Sequence, residues 1–217
     1  MKITGIDSYL VNVGHRDLCF VKVRSDEGLY GVGEAYSAGP DEATANVIHY
    51  FEEWLIGMDP MDIEGIWQKL YLGSRFPGGS VVYSALSGID HALWDLKGRA
   101  LNTPVYQLLG GKCRNRIQVY QNPGGRTPKE TLENALRLKE RYGLTAFKTN
   151  PLPGDFIAMS WPAALVAVER KMALLREGLG DDVEIALDPH ARLLEPVKAI
   201  DLCHVVAPFR PMFVEEP

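Results

Sequence analysis

The sequence has no apolar run near the roughly 18 residues needed to cross a bilayer, and no block of lysine and arginine. The first absence excludes a membrane-spanning helix. The second, with a formal net charge of -5, argues against a nucleic-acid or anionic-membrane surface. Cysteine is scarce as well. Cys19, Cys113 and Cys203 are odd in number, far apart and without CxxC spacing, which argues against a disulfide framework or a zinc site. The opening MKITGIDSYLVNVG lacks the uninterrupted apolar region and cleavage site of a signal peptide. A reduced, cytoplasmic compartment is therefore expected.

What is present is ordinary for a globular chain. A hydrophobic content of 46% and a charged content of 24% over 217 residues allow a substantial core in one or two domains. Residues 2–13 read as a strand, and LCFVKVRSDEGLYGVGEA (18–35) as two apolar runs about Asp26-Glu27-Gly28, a hairpin signal. Helical spacing follows over 41–55, 62–71 and 81–100, the last with Ala85, Ile89, Ala92, Leu93 and Leu96 on one stripe. GGKCRNR (110–116) marks a boundary, which divides the chain into domains 1–112 and 113–217.

Beyond it the rhythm changes. Strands are predicted at 117–122, 145–150, 183–190 and 212–217, with helices at 127–141, 161–176 and 195–206 between them. Such alternation argues for βα units and a parallel sheet. A doubly wound sheet would carry a Gly-rich loop after its first strand. The one similar stretch, Gly31-Val-Gly33-Glu34, sits in the hairpin and reads as turn and packing chemistry. In a (β/α)8 barrel the working groups gather at the C-terminal ends of several strands. Here Lys148 and Asn150, Asp188 and His190, and Glu215 and Glu216 end successive strands.

IALDPHAR (185–192) is the most informative stretch, with a carboxylate, an imidazole and a guanidinium each two residues apart. If the extended conformation continues that far, all three share one face. Asp188 and Glu215 are hard oxygen donors on neighbouring strand ends and would repel without a cation between them, which suits Mg²⁺. Capping of the following loops is the plainer role for each. Lys148 can neutralise a substrate carboxylate, or salt-bridge Asp188, or both. Asn150 cannot act as a base, so it is assigned to substrate or metal-bound water. His190 has the side chain best suited to proton transfer near neutral pH. Arg192 either orients a substrate group or pairs with Glu216. His49, His91 and His204 lie in or near helices and are given structural roles.

SDEGLYGVGEA, SGIDHALWDLKGRALNTPVYQLLGG, FKTN, DPHAR and FVEEP together resemble the mandelate racemase subgroup of the enolase superfamily, and within it the galactonate dehydratase-like acid-sugar dehydratases. The resemblance runs over the whole chain. It implies an α+β capping domain on a TIM-type (β/α)8 barrel, Mg²⁺ held by three successive strand-end acids, an enediolate intermediate and a sugar-acid substrate. Enolase-superfamily sites are an established example of a Lys or His base working with Mg²⁺. By position, Asp188 and Glu215 match the first two metal ligands, and Lys148 the first lysine of a Lys-x-Lys motif whose second lysine is here Asn150. His190 matches the histidine that protonates the departing 3-hydroxyl. The loops at 15–17 and 74–80, with His15 and Arg75, match capping loops that shape the substrate pocket, and Asn150 and Arg192 are further substrate contacts.

A complete barrel takes about 250 residues, whereas 113–217 supplies only its first half. The third metal ligand and the later base have no counterpart here. The expectation is a piece of a longer product, a chain that pairs with another, or an inactive one. The full-length form is expected to be a homo-oligomer. The open strand edges, and an inward layer of Val119, Phe147 or Leu187 lacking partners, are predicted to leave these residues unstable alone. The alternatives are a racemase or cycloisomerase on the same scaffold, or a non-catalytic fragment that binds metal or a partner chain.

Overall fold

A computed structural model describes residues 1–36 and 39–217. The chain divides into two units, Met1–Asn115 and Arg116–Pro217. Among the described residues, no helix is long and apolar enough to cross a membrane.

The first unit is built on a three-stranded antiparallel sheet, β1 (Ile3–Asn12), β2 (Asp17–Ser25) and β3 (Tyr30–Glu34), in that order. Alternation along β2 places Cys19, Val21 and Val23 on one buried face. The hairpin turns where the charge and glycine predicted it: Ser25 N–H donates to Leu29 O at 2.9 Å, and Gly28 takes φ +78. Helices α1 (Asp41–Leu55), α2 (Ile63–Gly73) and α3 (Ser80–Ala100) follow, with a short α4 (Val105–Leu108). α3 lies against β3 at a distance only glycine permits. A Cβ on Gly31 would stand 1.9 Å from Ala92 O, and one on Gly33 would stand 2.1 Å from Gly88 O. The GVG stretch is therefore packing chemistry inside a strand rather than a turn. Val21, Val23, Ile48, Phe51, Ile89 and Leu96 form the core between sheet and helices.

The second unit alternates: α5 (Pro128–Tyr142), β4 (Ala146–Thr149), α6 (Trp161–Leu179), β5 (Glu184–Leu187) and α7 (Pro196–Val206), with 3-10 turns at Phe156–Ala158 and Ala207–Phe209. α5 starts where a threonine precedes a proline. Thr127 Oγ1 accepts from Glu130 N, Glu130 Oε2 accepts from Arg126 N, and Gly143 ends the helix in the left-handed region. β4 and β5 pair in parallel, Phe147 opposite Ile185 and Thr149 opposite Leu187.

Three expectations for this unit are corrected. Residues 117–122 and 212–217 do not form ladder strands. Each contributes one parallel bridge, Gln121 to Phe147 and Val214 to Leu187. Ile117 is 76% and Val119 60% exposed, so that segment lacks the apolar contact that holds a strand down. The spatial order, 117–122 then β4, β5 and 212–217, is nonetheless parallel. Second, Phe147 and Leu187 do not face inward. With Ile185 they pack against Ala135, Val168, Met172 and Leu202 of the helices. The opposite face carries Lys148. Third, β5 stops at Leu187, and His190 and Ala191 turn into positive φ, +63 and +51. The extended run through Arg192 is not made.

Candidate active site

The ends of β4 and β5 and the segment after α7 bring Lys148, Asp188 and Glu215 together. Lys148 is the third residue of β4, on the face turned from the helices. Its Nζ lies 3.0 Å from Asp188 Oδ2 and 3.0 Å from Glu215 Oε2. Asp188 is placed by a backbone bond, its N–H donating to Thr149 O at 3.0 Å, and Glu215 likewise by donating to Leu187 O at 2.8 Å. These bonds extend the sheet one step past the strands and fix where the two carboxylates stand. The Tyr120 ring lies 5.7 Å from the Lys148 ammonium.

Electrostatics follow from that geometry. The hydrogen bond to Glu215 raises the Lys148 pKa above its ordinary value; burial opposes the rise and Asp188 adds to it. Burial pushes the Asp188 carboxyl upward, but hydrogen bonds from Lys148 and His190, with the lysine charge, outweigh it and hold the carboxyl below its usual range. Lys148 therefore stays an ammonium and Asp188 a carboxylate through the neutral range.

Asp188 Oδ2 is taken by both Lys148 and His190 Nδ1, the latter at 3.4 Å, while Oδ1 is buried and unpartnered. A buried acceptor without a donor is costly and asks for a partner. A cation held by Asp188 and Glu215 would supply one, and hard carboxylate oxygens suit Mg²⁺. The residues present therefore fit the ion, although only in part. Among the described residues, no group of three His, Cys, Asp or Glu side chains is arranged to hold a metal.

His190 is 81% exposed, and among the described residues its ring reaches back through Nδ1 to Asp188, so the rest of the ring faces solvent. Its left-handed backbone is what turns it there. A cavity of about 340 Å³ is lined by Asn122, Lys148, Thr149, Asn150, Asp188, His190 and Arg192.

The remaining candidates are Asn150, Arg192, His15 and Arg75. Asn150 Oδ1 accepts from Leu152 N at 2.9 Å, so its acceptor shapes the loop, and its Nδ2 is the group that can donate to a ligand. Arg192 lines this cavity as well. Its guanidinium lies 4.9 Å over the Phe156 ring, and no ion pair to Glu216 occurs among the described residues. The two positive-φ residues ahead of Arg192 account for that departure. His15, in the turn between β1 and β2, and Arg75, which follows α2 and lies 5.9 Å over the Phe76 ring, are exposed groups of the first unit. Sequence reasoning missed Lys171. It falls on the buried stripe of α6 with Ala164, Val168, Met172 and Leu175, and a lysine at that spacing was the signal to read.

Comparison with known proteins bears on this site. Residues 6–110 match the mandelate racemase / muconate lactonizing enzyme N-terminal domain, and residues 130–217 match an enolase C-terminal domain-like region. The chain is 40% identical over 217 residues to D-galactonate dehydratase of Variovorax paradoxus, covering 100% of this chain and 55% of that protein. It is 40% identical over 219 residues to D-galactonate dehydratase of Pectobacterium atrosepticum, with the same coverage. Among solved structures, an enolase from Agrobacterium radiobacter bound to Na and L-malate aligns with TM-score 0.93 at 39% identity, over 100% of this chain and 55% of that one. An enolase from Pantoea ananatis with bound D-gluconate and Mg aligns with TM-score 0.87 at 32% identity, over 100% and 60%. The chain spans about half the length of the curated relatives it matches.

Proposed function

The chain belongs to the mandelate racemase / muconate lactonizing enzyme group of the enolase superfamily, and on that premise we propose that it carries part of a Mg²⁺-dependent sugar-acid dehydratase. Its fold is an α+β capping domain followed by part of a (β/α)8 barrel. The boundaries proposed are 1–112 for the cap and 113–217 for the barrel's first half. The substrate proposed is a galactonate-like aldonate, which loses water to give a 2-keto-3-deoxy acid.

The observation that carries the reading is Lys148 set between Asp188 and Glu215, with His190 against the same Asp188 oxygen that Lys148 meets. Asp188 and Glu215 would hold the ion, which when bound supplies Lewis-acid polarisation of the substrate carboxylate. Lys148, kept protonated by its two carboxylates, stabilises the negative charge that develops as the proton next to that carboxylate leaves. His190 gives its proton to the departing β-hydroxyl, and contact with Asp188 orients the ring. His15, Arg75, Asn150 and Arg192 are proposed as substrate contacts. Gluconate and malate in the related enolases support a polyhydroxy or hydroxy acid as ligand.

A panel of aldonates and aldarates, assayed for keto-acid formation with the intact protein and Mg²⁺, tests the proposal. Keto acid from a galactonate-like aldonate is the expected outcome. Silence across the panel, with a response in a racemisation or cycloisomerisation assay, overturns it.

A further inference from the structure

A second and larger cavity, of about 700 Å³, opens on the other side of the β4 end. Its volume lies within the range of small-molecule sites. It borders the smaller cavity through Asn122, Thr149, Asn150 and Arg192 but does not include Lys148, Asp188 or Glu215. Thr149 is buried, and the strand's alternation puts it on the helix-facing side, opposite Lys148. What sets this cavity apart is its charge. Arg126, Lys171 and Arg192 line it against a single carboxylate, Asp155.

Each cation is held ready but not neutralised. Lys171 Nζ donates to Asn150 O at 2.7 Å and to Thr149 Oγ1 at 3.2 Å, both uncharged acceptors, so one of its three N–H groups remains. Arg192 rests on the Phe156 ring, and neither it nor Arg126 pairs with a carboxylate among the described residues. The wall beside Arg126 is formed by Gly124 and Gly125, both at positive φ. A Cβ on Gly125 would stand 2.6 Å from Thr131 N, so the loop can only lie there as glycine.

We propose that this cavity is a second anion-binding site, adjoining the Lys148 centre across Asn150 and Arg192 but built on Lys171 and Arg126, which takes a small oxyanion such as phosphate or a carboxylate. Two unpaired guanidiniums and one partly buried ammonium around one space give the charge-assisted donors such a ligand needs. The site explains why a lysine is kept on the apolar stripe of α6. Burial lowers the Lys171 pKa to about 8, a cost that an anion beside it would remove. Binding therefore takes up a proton when the pH exceeds that value. The charged groups lining the cavity around Lys171 are Arg126, Arg192 and Asp155.

The test is calorimetric titration of the intact protein with inorganic phosphate and, separately, with malonate, a dicarboxylate whose charge does not change as the pH rises through the alkaline range. Saturable binding at one site is expected, and the tighter of the two probes identifies the source of the ligand. Malonate affinity should fall toward tenfold per unit as the pH rises above about 8. Lys171→Met and Arg126→Gln should each weaken binding about tenfold or more, and Lys171→Met should also flatten the pH dependence. Arg126 is exposed, so its variant tests the site even if Lys171→Met fails to fold. Lys148→Met should leave the affinity unchanged. No saturable binding of either probe to folded protein, or binding lost with Lys148→Met and kept with Arg126→Gln, overturns the proposal.

Discussion

Replacing Lys148 by Met removes one ammonium from between two carboxylates and leaves them facing each other. The Asp188 side chain is 13% exposed and that of Glu215 38%. Breaking a fully buried pair costs about 3–5 kcal/mol, whereas exposed pairs are worth about 0–1 kcal/mol. Glu215 is open enough to water to need that discount, so we expect Lys148→Met to cost roughly 1–3 kcal/mol at pH 7. The pH dependence separates this cause from lost packing. In the wild type, Asp188 has a depressed folded pKa, so its stabilisation is present above the unfolded value and is lost as pH falls through the folded one. Lys148 has a raised pKa, so its share is present below the unfolded value and is lost as pH rises through the folded one. Burial is the leading influence on Asp188 and pushes it up; without the lysine less opposes it, His190 alone remaining, and the carboxyl moves upward from its wild-type position. The penalty of the variant should then shrink as the pH falls into the ordinary carboxylate range, about 4. Urea unfolding of wild type and variant at neutral and acid pH measures it. Mg²⁺ should restore more stability to the variant than to the wild type, since a cation would replace the missing charge. A penalty of equal size at both pH values would refute the reasoning.

His190→Asn should lower dehydration by about 10²–10⁴-fold while exchange of the proton next to the carboxylate partly survives, as read by deuterium uptake from solvent. Loss of both with the fold intact would make His190 the base or a structural group. Asp188→Asn should weaken Mg²⁺ binding measured by calorimetry, because it removes charge from the carboxylate whose Oδ1 is buried and unpartnered; unchanged affinity would put the ion elsewhere. Gly33→Ala should destabilise the first unit by about 1–3 kcal/mol or more, since its Cβ would stand 2.1 Å from Gly88 O on α3. A thermal melt decides it, and an unshifted midpoint would show that α3 can retreat.

Much of the local structure was legible because it is local. α1 runs over the predicted Asp41–Leu55, and α5 begins at its Thr-Pro signal. The turn at Gly28 likewise depends on neighbouring residues alone. The grouping at the strand ends could also be read. Lys148, Asp188 and Glu215 close on one point because parallel strands align their C-terminal ends.

Tertiary packing decided the rest. Alternation assigns Phe147 and Lys148 to opposite faces but does not say which face meets helices; the apolar stripes of α5, α6 and α7 settled that, and put Phe147 and Leu187 outside. Where extended backbone stops is equally a matter of partners. β5 ends at Leu187, and the positive φ at His190 and Ala191 then sets Arg192 over the Phe156 ring, on the cavity wall, rather than in an ion pair with Glu216. Residues 117–122 have strand-like composition, yet without an apolar surface to cover they keep a single bridge. Lys171 was hidden for the opposite reason. Its helix reads as apolar, and only the fold shows that Asn150 and Thr149 stand within reach of its amine.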